Sequence, residues 1–172
     1  MPPRVDQPLE RHTLSILVDN EAGVLARIVG LFSGRGYNID SLTVAEVDPG
    51  EHTSRITVVT TGTQLIVDQI RVQLERLVPV HRVVDLTEGR PYVEREMALV
   101  KVAGTGDRRV EALRLSDAFR ARVIDTTHTS FIFELTGNSE KIEAFIALMK
   151  PLGLVEVSRT GAVGIQRGPD GM

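Results

Sequence analysis

Between residues 13 and 86 the spacing of apolar residues switches from alternation to helical period and back, twice over, and that order leaves few folds open. Leu14, Ile16 and Val18 alternate with Thr13, Ser15 and Leu17, as in a strand with one apolar face. Asp19 to Gly23 breaks the alternation. Val24, Leu25, Ile28, Leu31 and Phe32 follow at helical spacing, and Gly34 and Gly36 stop the helix. Residues 38–47 read as a second strand. Asp48-Pro49-Gly50-Glu51 reads as a turn, and Ile56 and Val58 against Arg55 and Thr57 as a third strand. Ile66, Ile70, Leu74 and Leu77 mark a second helix, which Pro79 ends ahead of a strand over 80–86. The order is β-α-β-β-α-β, the split βαβ or ferredoxin-like arrangement.

After Glu88-Gly89-Arg90-Pro91 the pattern restarts. Residues 97–102 read as a strand, 110–119 as a helix, and 122–127 with 130–135 as a strand pair. Ile142, Phe145, Ile146 and Met149 sit at i, i+3, i+4 and i+7 of a helix, and 154–157 is a last strand, followed by 161–167. The fold class is therefore α+β, with two ferredoxin-like βαββαβ domains. The expected boundaries are a loose tail over 1–10, a first domain over 11–87, a linker over 88–92 and a second domain over 93–168.

Composition narrows the function classes. A net charge of −3 draws the chain to neither nucleic acid nor acidic membranes. The absence of cysteine removes disulfides and thiolate metal sites and fits a cytoplasmic setting. Residues 1–12 have no apolar core for a signal peptide, and no apolar run reaches the roughly 20 residues of a membrane span. With five Phe, two Tyr and no Trp, the core must come from Val, Ile and Leu.

The residues that carry enzyme chemistry are missing or scattered. His12, His52, His81 and His128 have no ligand spacing and read as surface or strand residues; no metal site is expected. No GxSxG elbow, Walker A loop or GxGxxG motif occurs. Gly104-Thr105-Gly106-Asp107 reads as a strand-to-helix turn rather than a phosphate loop. Glu46, Asp48 and Glu51 read as a solvated hairpin tip. Arg108, Arg109, Arg114, Arg120 and Arg122 read as a solvated basic face, with a docking surface as the second reading. No residue reads as catalytic.

Asp19 to Leu25 is different. It joins a strand to a helix, and a helix N-terminus offers unpaired N–H groups and partial positive charge, a ready carboxylate site. Gly23 lets a ligand approach the backbone. Asn20 adds donor and acceptor capacity suited to a zwitterion, and Asn38 lies just beyond the other end of the same helix. Singly, Asn20 is a helix cap, Gly23 a helix-start residue and Asn38 a turn residue. Together they point to a small ligand held between two copies of the domain.

The stretch DNEAGVLARIVGLFSGRGYNIDSLTV (19–44) resembles the first half of an ACT domain, a small-molecule-binding regulatory module. It resembles more narrowly the acetolactate synthase (acetohydroxyacid synthase) small subunit. Residues 93–102 and 159–164 match that family again, so the resemblance spans roughly 11–168. It implies a regulatory subunit without catalytic activity of its own. The expected partner is a catalytic large subunit holding thiamine diphosphate, Mg2+ and FAD; this chain itself should hold no cofactor. The small subunit of that family activates its partner and confers feedback inhibition in branched-chain amino acid synthesis, usually by valine. The resemblance places valine on Asn20, Gly23, Leu25, Asn38 and Ile39 and the backbone of Val24, at a homodimer interface of ACT domains. It assigns the second domain to docking the large subunit. Three other readings stand beside it: an ACT-domain amino-acid sensor for another biosynthetic enzyme, a small stand-alone enzyme, and an RNA-binding βαββαβ module. The last needs exposed aromatics on central strands, whereas Phe131 and Phe133 are spaced like core residues.

Overall fold

A computed structural model describes residues 7–172. Of the expected tail, residues 1–6 lie outside the described residues, and the first strand already begins at Glu10. The chain forms two compact units. One comprises the chain up to Val93 together with Gly164–Met172, the other Glu94–Val163. The expected 93–168 domain and the observed units therefore divide the chain differently at its C-terminal end.

The first unit contains β1 (Glu10–Asp19), α1 (Val24–Gly34), β2 (Ser41–Asp48), β3 (Thr53–Gly62), α2 (Gln64–Glu75) and β4 (Val80–Asp85). Its sheet is antiparallel, in the order β2-β3-β1-β4. In register, Leu14 faces Val58, and Ile16 faces both Ile56 and Val83. These residues meet Val24, Ile28 and Phe32 of α1 and Val67, Ile70 and Leu74 of α2 in one apolar core. The helix stripes and the even-numbered face of β1 are thus the two halves of one core. Thr63 caps α2 by accepting from the Ile66 N–H.

The other face of this sheet departs from expectation. Alternation in β1 leaves Thr13, Ser15 and Leu17 opposite the core, where water would ordinarily be. Yet Thr13 and Ser15 are fully buried, as are Thr57 and Val59 on the neighbouring strand. Small hydroxyl side chains are compatible with either environment, so alternation alone could not show that this face is covered. The segment from Gly164 returns to this unit and lies against it, with Met172 Sδ 3.2 Å from Ser15 Oγ.

The second unit contains β5 (Tyr92–Ala103) from Glu94 onward, α3 (Asp107–Ala118), β6 (Arg122–Thr126), β7 (Ser130–Gly137), α4 (Ser139–Met149) and β8 (Leu154–Arg159). The sheet order is β6-β7-β5-β8, and a short β9 (Val163–Gln166) also pairs with β5. Phe133 and Phe145 are fully buried and meet edge-to-face, with Phe119 against Phe145 and Phe131 beside Phe133. The aromatics that an RNA-binding sheet would display are therefore core residues. Helix α3 buries only Ala112 and Ser116, while Val110 and Leu113 face outward. Among the described residues no helix is long and apolar enough to cross a membrane.

Candidate effector-binding turn and its family

Helix α1 starts in an unusual way. Its N-cap is Gly23, held at φ 86°, in the left-handed region that favours glycine. Because the cap has no side chain, no side-chain oxygen occupies the helix start, and the first turn carries no acidic residue. The Gly23 carbonyl accepts the first intrahelical bond from Arg27. Among the described residues nothing accepts from the Leu25 and Ala26 N–H groups. A left-handed glycine and an unfilled helix start make a cradle for a carboxylate.

The turn is fastened from both sides. The Asn20 N–H donates to the His52 carbonyl at 2.7 Å, tying it to the β2–β3 hairpin, and His52 takes a positive φ there. The Asn20 side-chain Nδ2 donates to Glu46 Oε1 at 3.1 Å. That leaves Asn20 Oδ1 and a Glu46 oxygen free to accept from an ammonium. Glu46 is the residue missed by reading the hairpin acids as merely solvated. It is 26 positions from Asn20, and only the β2–β3 register brings it here.

Of the six expected ligand residues, Asn20, Gly23, Leu25 and Asn38 are exposed and Ile39 is half-buried. Val24 is buried in the core, so only its backbone can meet a ligand. Asn38 does not open the second strand as expected. It sits ahead of β2, which begins at Ser41, and its carbonyl accepts from Thr60 Oγ1 at 2.6 Å. Its Nδ2 donates to Asp40 Oδ1 at 2.6 Å, and Thr61 holds the other Asp40 oxygen.

The structure does not bring the six residues together within one chain. Asn20 and Gly23 precede α1, whereas Asn38 and Ile39 follow it. An 11-residue helix is about 16 Å long, several times the span of an amino acid's polar groups. The expected ligand residues of the first unit thus lie at opposite ends of one helix.

The Arg cluster of the second unit is partly internal. Arg109 stacks over the Phe131 ring at 3.9 Å and donates to Thr126 Oγ1, and its Nη1 is buried without an acceptor. Val123 and Ile124 are exposed on the edge strand β6 nearby. Glu96, buried at the sheet, takes a bidentate pair from Arg159, which also contacts Glu143.

Residues 14–82 match the model of the acetohydroxyacid synthase small subunit-like ACT domain, and residues 95–168 match that of the small subunit of acetolactate synthase. The chain is 46% identical over 159 residues to the acetolactate synthase isozyme 3 small subunit of Salmonella typhimurium, covering 92% of this chain and 96% of that one. It is 43% identical over 158 residues to a probable acetolactate synthase small subunit of Archaeoglobus fulgidus, covering 92% and 98%. The crystal structure of the acetolactate synthase small subunit from Thermotoga maritima superposes with a TM-score of 0.82 at 37% identity, covering 94% of this chain and 99% of that one. The chain belongs to the acetolactate synthase small-subunit family.

Proposed function

We propose that this chain is the non-catalytic regulatory subunit of an acetolactate synthase, raising the activity of a catalytic large subunit and making it sensitive to valine. Thiamine diphosphate, Mg2+ and FAD belong to the large subunit in this reading, and the reaction takes place there. The single observation that carries the effector site is the uncapped start of α1, with Gly23 left-handed and the Leu25 and Ala26 N–H groups unfilled. These groups hold the carboxylate of valine. Asn20 Oδ1 and Glu46 accept from its ammonium, and Asn38 completes that shell from the second copy. Leu25, 39% exposed, and Ile39 close over the branched side chain.

The separation of the half-sites supports a homodimer. Two-fold pairing of first units sets one copy's turn beside the other copy's Asn38 and Ile39, making two equivalent sites. Valine changes activity to the extent that it binds one arrangement of the complex more tightly than another. The second unit offers its Arg-bearing helix α3 and the exposed edge strand β6 to the large subunit.

Titration calorimetry with valine, on the wild type and Gly23→Asp, tests the site. The new carboxylate lies where the ligand's own must sit, so valine binding should disappear. Unchanged affinity would remove the site assignment. Mixing the chain with its large subunit and following acetolactate formation tests the role. A rate and a valine sensitivity that do not depend on the small subunit would remove the regulatory reading.

A further inference from the structure

The covered face of the first sheet holds a cavity of about 190 Å³. Its floor includes Ser15 of β1, Arg55 of β3, Val84 of β4 and Leu86 just beyond, and Ile165 and Met172 of the returning C-terminal segment border its open side. Ser15 and Arg55 project away from the apolar core, because their neighbours Leu14, Ile16 and Ile56 project into it. The cavity is thus on the opposite side of the sheet from helix α1 and its turn.

Arg55 is unmatched there. Its Nε is buried with no hydrogen-bond partner, and among the described residues it makes no ion pair. A buried guanidinium N–H without an acceptor is costly, and native structures rarely keep one. Arg82 stands on the same face, across Leu17, and adds a second positive charge. The carboxylate lining the cavity, Asp170, is largely exposed and turned to Arg90 at 3.4 Å. An unmatched guanidinium calls for an anion, and its fork suits a carboxylate.

The remaining walls define the rest of the ligand. Val84, Leu86, Ile165 and Met172 supply an apolar lining, and Ser15 and Gln166 supply the few polar groups beside Arg55. A cavity of roughly 150 Å³ in a protein takes a six-carbon ring, so this one suits about seven heavy atoms. We propose that this cavity is a second ligand site, which takes a short aliphatic monocarboxylate with its carboxylate on Arg55 and its tail on that apolar wall.

Isovalerate is the probe, and the Arg55 Nε–H resonance of the isotope-labelled full chain is the readout. Isovalerate should shift that resonance saturably, while sodium chloride at equal ionic strength should not. Arg55→Met, which lacks that reporter and is compared with the wild type by titration calorimetry, should weaken isovalerate binding about tenfold or more, the worth of one charge-assisted hydrogen bond. Its circular dichroism and valine affinity report that it folds. Gly23→Asp should leave isovalerate binding unchanged, which separates this site from the valine site. The proposal is overturned by an unshifted Arg55 signal at about 10 mM isovalerate, where even a millimolar site is mostly filled. Equal binding by Arg55→Met, the same shift with chloride, or a shift with valine and not isovalerate overturns it as well.

Discussion

If each valine site takes its turn from one copy and its Asn38 from the other, two defective variants should repair one another. Gly23→Asp blocks the carboxylate cradle. Asn38→Ala removes an acceptor at the far end of α1 while sparing the Asn38 carbonyl that Thr60 holds. Losing a hydrogen bond to a charged group should weaken valine about tenfold or more. At a valine concentration near the wild-type dissociation constant, the Gly23→Asp homodimer then stays empty and the Asn38→Ala homodimer fills to about a tenth. Random pairing of equal amounts gives about half heterodimers, and two-fold symmetry gives each of these one site with both lesions and one with none. About a quarter of all sites is therefore intact. Co-expressing the chains with two affinity tags, purifying the doubly tagged species and titrating it with valine measures the effect directly: one wild-type site per dimer. The magnitude rests on the roughly 16 Å that an 11-residue α1 puts between the halves. Verified heterodimers that bind no valine would show both halves acting within one chain, and the shared-site reasoning would fall.

Three further outcomes follow from individual contacts. Arg159→Met leaves Glu96, 5% exposed, without its bidentate partner, and should cost the second unit about 3–5 kcal/mol in urea denaturation; a cost under 1 kcal/mol contradicts the pairing. Asp85→Ala strips His12 Nδ1 of its 2.8 Å partner, with both side chains about 3% exposed, and should cost about 3 kcal/mol. Removing both partners together should cost less than the sum of the single changes, as a double-mutant cycle will show. The hydrogen bond from Lys101, with its charge, holds the Glu156 carboxyl below the ordinary carboxylate range. Its folded state therefore binds a proton less readily than the unfolded chain, so its contribution is present above that range and fades as pH falls through it. Melting curves of Lys101→Met and wild type should differ at neutral pH and converge in acid.

Most of the frame was legible because it is periodic. Leu14, Ile16 and Val18 in β1 and Ile70 and Leu74 in α2 mark their buried faces by spacing alone, whereas Ile66 and Leu77 prove partly buried and Val67 takes the third core place in α2. Helix α3 was found, but its Val110 and Leu113 face outward while Ala112 and Ser116 face in. Periodicity located the helix without orienting it, since Ala and Ser carry little hydrophobic signal. What stayed hidden was pairing across the sheet. His12 and Asp85 lie 73 positions apart, Glu96 and Arg159 lie 63 apart, and each pair meets only through strand register. Glu46 beside Asn20 is the same case. The candidate turn was readable because a helix start, a glycine and two asparagines sit within one short stretch. The sequence already pointed to a ligand held between two copies, and the structure adds that Asn20–Gly23 and Asn38–Ile39 lie at opposite ends of the 11-residue α1.

That division links effector affinity to assembly. In the proposed arrangement a single copy offers valine either the carboxylate cradle or the Asn38–Ile39 half, never both. A ligand that needs both binds the dimer and scarcely the monomer, so it must pull association forward. At a valine concentration of about 100 times its dissociation constant, each filled site stabilises the dimer by about 2.7 kcal/mol. Two sites then lower the dimer dissociation constant by about four decades. Sedimentation of the diluted protein, with and without valine, reads this shift. Asn38→Ala, at a tenfold loss of affinity, should cut it to about two decades while leaving the helix start untouched. Were valine to bind the monomer as tightly as the dimer, the dissociation midpoint would not move, and the two ends of α1 would have to be serving separate purposes.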